Sequence, residues 1–73
     1  MTNDRKIEEL SKLNKAQRKT LRKAWMGRKI NNIFVDNLMD NVARVRVSNE
    51  NNFWMVAEVG PKGGLKHKEF VQL

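Results

Sequence analysis

Between Lys12 and Lys29 the chain places eight cations and no acid: Lys12, Lys15, Arg18, Lys19, Arg22, Lys23, Arg28 and Lys29. The whole 73-residue chain carries +7, so this window exceeds the net charge. Outside it, seven lysines and arginines face eight acids. Like charges this concentrated repel one another, and a polyanion or an acidic protein surface relieves them. A face kept only for solubility would mix its signs, as residues 4–9 do. The window therefore reads as a binding surface.

Trp54 is the second candidate. Strand alternation places Trp54, Val56 and Glu58 on one side, together with Arg44 and Arg46 from the preceding strand. An indole beside guanidinium groups suits base stacking or an interface anchor. If the N-terminal helices cover that side, Trp54 is core instead, and the sequence leaves both readings open. Trp25 is assigned to the core or its boundary. Phe34, Phe53 and Phe70 are assigned to the core, because a small domain needs its few aromatics inside.

Catalytic constellations find little support. His67 is the only histidine and sits among Lys66, Lys68 and Glu69. Ser11 and Ser48 have no evident base nearby. No pair of carboxylates lies in an apolar setting that would raise a pKa. Asp36 and Asp40 would share a helix face, but such a pair is ordinary surface rather than a metal site. Gly60-Pro61-Lys62-Gly63-Gly64 lacks the spacing of a phosphate-binding loop and reads as a turn. The expectation is a non-enzymatic protein with no cofactor, no metal and no small-molecule substrate.

The absence of cysteine excludes disulfides and thiolate zinc sites and fits a reducing cytoplasm. The first ten residues have no signal-peptide apolar region. The longest strongly apolar run, Phe53 to Ala57, is far too short to span a bilayer. A soluble, cytoplasmic, monomeric protein is expected. At this size it forms one domain that buries only about 60% of its unfolded surface.

The elements that must carry these residues fall into a basic helical half, about residues 1–40, and a β half, about 42–73. Ile7, Leu10 and Leu13 recur every three residues and predict a helix over 4–13. Asn14, with Gln17 three residues on, makes a capping box for a second helix from Lys15 to about Met26. Gly27 is the natural C′ residue. One uninterrupted helix from 4 to 26 competes, but the cap favours the break. On the second helix Lys15, Arg18, Lys19, Arg22, Lys23 and Lys29 gather on one side. Ala16, Thr20, Leu21 and Ala24 gather on the other, a face too narrow for a membrane-surface helix. Residues 30–41 are ambiguous. Ile30, Ile33, Phe34 and Leu38 suit a short third helix over about 33–40, which is preferred, while Ile33 and Val35 would equally begin a strand. From Val42 the period becomes two, predicting strands over 42–48, 53–59 and, more weakly, 65–71. The fold class is α+β: one or two N-terminal helices, a possible short third helix and a three-stranded antiparallel sheet.

With its basic front KLNKAQRKTLRKAWMGRK and its β tail VARVRVSNENNFWMVAEV, the chain resembles small bacteriophage transcription regulators of the RNA polymerase inhibitor and antiterminator type. The likeness spans the full length in size and organisation and rests on no diagnostic motif. It implies a host RNA polymerase partner, bound at the β′ subunit near the RNA exit channel. There it would block promoter recognition, act as an antiterminator and touch nascent RNA. The residues themselves also allow an autonomous basic DNA- or RNA-binding module, or a ribosome-associated protein.

Overall fold

The computed structural model describes residues 2–72, with side chains from residue 5 onward. Two helices precede a four-stranded antiparallel sheet: α1 (Thr2–Ser11), α2 (Lys15–Ala24), β1 (Asn32–Asn37), β2 (Ala43–Ser48), β3 (Phe53–Val59) and β4 (Leu65–Gln72). Strand order follows chain order, β1-β2-β3-β4, a plain meander.

The break between the helices is real. The Asn14 side chain accepts from the Gln17 amide at 2.8 Å, and Gln17 Oε1 accepts from the Asn14 amide at 3.0 Å. This reciprocal pair satisfies two of the donors a helix start leaves open. At the other end α2 closes in a Schellman turn, with Gly27 N–H donating to the Arg22 carbonyl and Met26 N–H to that of Lys23, each at 3.1 Å. The C′ position in left-handed conformation belongs to Met26 (φ +57°), and Gly27 (φ +68°) follows it.

The expected third helix over 33–40 is replaced by a strand. β1 pairs with β2 in register Ile33↔Val47 and Val35↔Val45. Asp40 and Asn41, at φ +61° and +60°, form the turn between them. The loop is Met39–Asn41, closed by Leu38 N–H donating to the Val42 carbonyl at 2.7 Å and Val42 N–H to that of Met39 at 3.2 Å, and Asp and Asn tolerate its positive φ. The sheet thus gains one strand over the expected three. A helix here would have left the β2 edge unpaired, whereas the strand completes its ladder.

The core lies between α2 and one face of the sheet. Leu13, Leu21, Ala24 and Trp25 meet Ile33, Val35, Ala43, Val45, Val47, Met55, Ala57 and Val59. The alternation read from 42–48 and 53–59 supplies that face, with Val45, Val47, Met55, Ala57 and Val59 fully buried. Gln17 is the polar member of this layer. Its Nε2 donates to the carbonyls of Asn41, Val59 and Gly60 at 3.2, 3.2 and 3.3 Å. Helix α1 lies along β1, and Glu9 Oε1 accepts from the edge amide of Val35 at 3.0 Å. That edge is covered; β4, at the other end of the order, has no strand beyond it among the described residues.

Candidate nucleic-acid or partner interface

Because Gln17, Leu21 and Ala24 turn inward, the residues between them turn outward. Lys15, Lys19, Arg22 and Lys23 are exposed and, with half-buried Arg18, line one shallow depression on the outer face of α2. Arg18 is tethered, its guanidinium donating to the Leu13 carbonyl at 3.2 Å. Among the described residues none of these five cations is in an ion pair. The helix that carries them is capped at both ends, so the charges sit on a fixed frame.

The other members of the basic window behave differently. Lys12 is neutralised locally: its Nζ lies 2.6 Å from Glu9 Oε2. That contact, with the Val35 amide second, holds the Glu9 carboxyl below its ordinary value. The same hydrogen bond raises the Lys12 ammonium above its own. Arg28 lies over aromatic rings, 4.8 Å from the Phe53 centroid and 5.6 Å from that of Trp25. Lys29 is exposed beyond the helix, and its carbonyl accepts from the Trp25 indole at 3.3 Å. The window is therefore split: a free array on α2, one internal pair, and one guanidinium stacked against the core.

Arg44, Arg46 and Trp54 share the sheet face turned away from α2, as the alternation requires. Arg44 pairs with Glu58 at 3.6 Å and Arg46 with Asp36 at 3.9 Å. Here the charge is balanced, unlike on α2. Trp54 is half-buried and stacks on Phe34, with centroids 6.2 Å apart. Arg5 and Arg46 lie 4.7 and 5.0 Å from the Phe34 centroid. The Trp54 indole N–H is buried without a hydrogen-bond partner among the described residues. Trp54 is thus neither wholly core nor an open platform. Phe34 and its neighbours give this face a small aromatic layer of its own.

Trp25 is buried at 1% exposure, as assigned. The core assignments of Phe34 and Phe70 require correction. Phe34 is half-buried on the sheet face turned away from α2, and Phe70 is 39% exposed on β4. The strand register explains both. Phe34 pairs with Arg46 on the open face, while Phe70 pairs with Met55 on the helix side but one strand beyond β3, against which α2 packs. The sequence contained one overlooked signal for these placements. Asp40-Asn41, a dipeptide suited to a tight hairpin, implies β1 and hence the side on which Phe34 falls.

Among the described residues, groups with catalytic potential do not converge. His67 lies 3.4 Å from Glu69 on an exposed strand. Asp36 and Asp40 do not share a face, since one lies in β1 and the other in the hairpin turn. Among the described residues no three His, Asp or Glu side chains gather as metal ligands, and no helix is long and apolar enough to cross a membrane. Comparison with protein-family models, curated proteins and solved structures returns no match to this chain.

Proposed function

We propose that this protein is a non-enzymatic regulator of transcription that binds host RNA polymerase, at the β′ subunit near the RNA exit channel. The observation that carries the reading is the array of exposed cations along α2, none ion-paired among the described residues, on a helix capped at both ends. Such an array favours an acidic protein surface, a nucleic-acid backbone, or a site where both meet. An RNA exit channel is a site of that third kind. Docked there, the domain would hinder promoter recognition by the holoenzyme and act against terminator hairpins, as in the phage regulators the chain resembles. It would work as a monomer in the bacterial cytoplasm, without cofactor or small-molecule substrate.

The charge-balanced sheet face supports a division of labour. Trp54, Phe34 and the paired Arg44 and Arg46 offer a mixed aromatic and polar surface suited to protein. The α2 array offers long-range attraction and orientation. An autonomous nucleic-acid module is the second reading, favoured by the exposed ring of Phe70 beside the Lys68 ammonium.

Affinity capture from bacterial lysate, with and without nuclease, tests the choice. Polymerase subunits retained after nuclease treatment are the expected result. Loss of every partner on nuclease treatment would favour the second reading.

A further inference from the structure

Three aromatic rings run outward from the core on the helix side of the sheet. Trp25, from the end of α2, is 1% exposed and stacks on Phe53 with centroids 5.8 Å apart and planes 15° apart. Phe53 stacks in turn on Phe70, at 5.4 Å and 12°. The row ends there, on strand β4, with Phe70 39% exposed. Cations attend the outer part of it. The Arg28 guanidinium lies over Phe53, and the Lys68 ammonium lies 5.4 Å from the Phe70 centroid. The register places Lys68 opposite Ala57, on this same face. The acids of β3 and β4, Glu58 and Glu69, fall on the opposite face.

We infer that the Phe53–Phe70 end of this row is a stacking site for unpaired bases of a single-stranded nucleic acid. Phe70 is the platform, and Lys68 and Arg28 contact the flanking phosphates. Near-parallel rings that end in an exposed one present a π-face to the next flat group. Stacking on such a face accepts any base. Lys68 leaves a weak exposed cation–π contact for a phosphate, which is the stronger partner for an ammonium. Charge separates this surface from the open sheet face, where Arg44 and Arg46 already hold carboxylates. A duplex does not satisfy the site, because its bases are already stacked on one another. The site does not depend on polymerase docking; it concerns free strands.

The test is fluorescence anisotropy with a labelled U-rich RNA of about 12 nucleotides and a duplex of the same length, without polymerase. The parent protein should prefer the single strand. Phe70→Ala and Phe70→Leu should weaken single-strand binding by roughly tenfold and leave duplex binding unchanged. Phe70→Trp, with a larger π-face, should match or exceed the parent. His67→Ala, on the other face of the same strand, should bind as the parent does. Melting curves accompany each variant; if Phe70→Ala does not fold, the contrast between Phe70→Leu and Phe70→Trp decides. Equal affinity of parent and Phe70→Leu for the single strand would overturn the site. So would a parent that binds duplex as tightly as single strand, or a Phe70→Trp loss as large as that of Phe70→Leu. Because no arm contains polymerase, failure of the polymerase reading would leave these outcomes unaffected.

Discussion

Gln17 joins the start of α2 to the far end of the sheet. It is 4% exposed, accepts from the Asn14 amide and donates to three carbonyls. A buried amide so employed is costly to lose, since its partners stay behind desolvated. Gln17→Leu should destabilise the domain by roughly 1–3 kcal/mol. Gln17→Glu should be worse at neutral pH, because a carboxylate would face three carbonyl oxygens. Burial and those acceptors would raise its folded-state pKa, so the variant should regain stability as pH falls through that value. Urea melts at neutral and mildly acidic pH check both statements; a Gln17→Glu variant indifferent to pH would refute the second. The Asn14–Gln17 spacing announced the cap. The sequence carried no sign of the Gln17 Nε2 contacts, since Asn41, Val59 and Gly60 lie 24, 42 and 43 residues away.

At the scale of elements, two contacts fix the helices to the sheet. One is the clasp between α1 and β1. Glu9 is held below its ordinary pKa of 4.5, first by Lys12 and then by the Val35 amide. A carboxyl with a folded pKa below its unfolded value stabilises fully above the unfolded value and loses that contribution as pH falls through the folded one. The clasp should therefore hold at neutral pH and release below 4.5. The Val35 amide shift, followed by NMR on acidification, should move with a midpoint under that value, and Glu9→Gln should abolish the transition. A Val35 shift that stays flat in the parent would show that the clasp does not form. The second contact is the close approach of α2 to the β3–β4 turn. Thr20 Oγ1 donates to the Gly63 carbonyl at 2.5 Å. A Cβ on Gly63, at φ +88°, would meet the Ala16 carbonyl at 3.0 Å. Gly63→Ala should cost about 1 kcal/mol or more, from conformation and crowding together. A Cβ on Gly64 would meet nothing within 4 Å, so Gly64→Ala is the matched control. Thermal melts of the pair decide, and equal Tm values would contradict this packing. The turn itself was readable from Gly60-Pro61, but the helix above it was not.

For the molecule as a whole, the helical array can be changed without touching the core. Lys19, Arg22 and Lys23 are all exposed. Reversing the three to Glu should leave the fold intact, with Tm moved by only a few degrees. Relief of self-repulsion opposes the loss of cations from the last turn of α2, where the helix dipole favours them. On the proposed function, the same variant should abolish the effect on transcription from a promoter and through an intrinsic terminator. Its single-strand affinity should also fall. If three phosphate contacts are lost, the slope of log K against log salt should flatten by roughly 2. Parent-like regulation by a folded triple variant would reduce the helix to a solubility face and move attention to Trp54 and its arginines. Much of the architecture was legible in one dimension. The period of two in 42–48 and 53–59, the Asn14 cap and the unbroken sign of the charges on α2 are local properties, fixed by neighbours a few residues apart. Residues 30–41 fit both periods, and pairing with β2 settled them as a strand. Which cations were free was only partly visible: Glu9 and Lys12 are three residues apart, but Asp36 and Glu58 reach Arg46 and Arg44 only once the strands are paired. The aromatic row shows the same limit. Trp25, Phe53 and Phe70 are far apart in the chain; strand register brings Phe53 and Phe70 together, and the docking of α2 on the sheet adds Trp25.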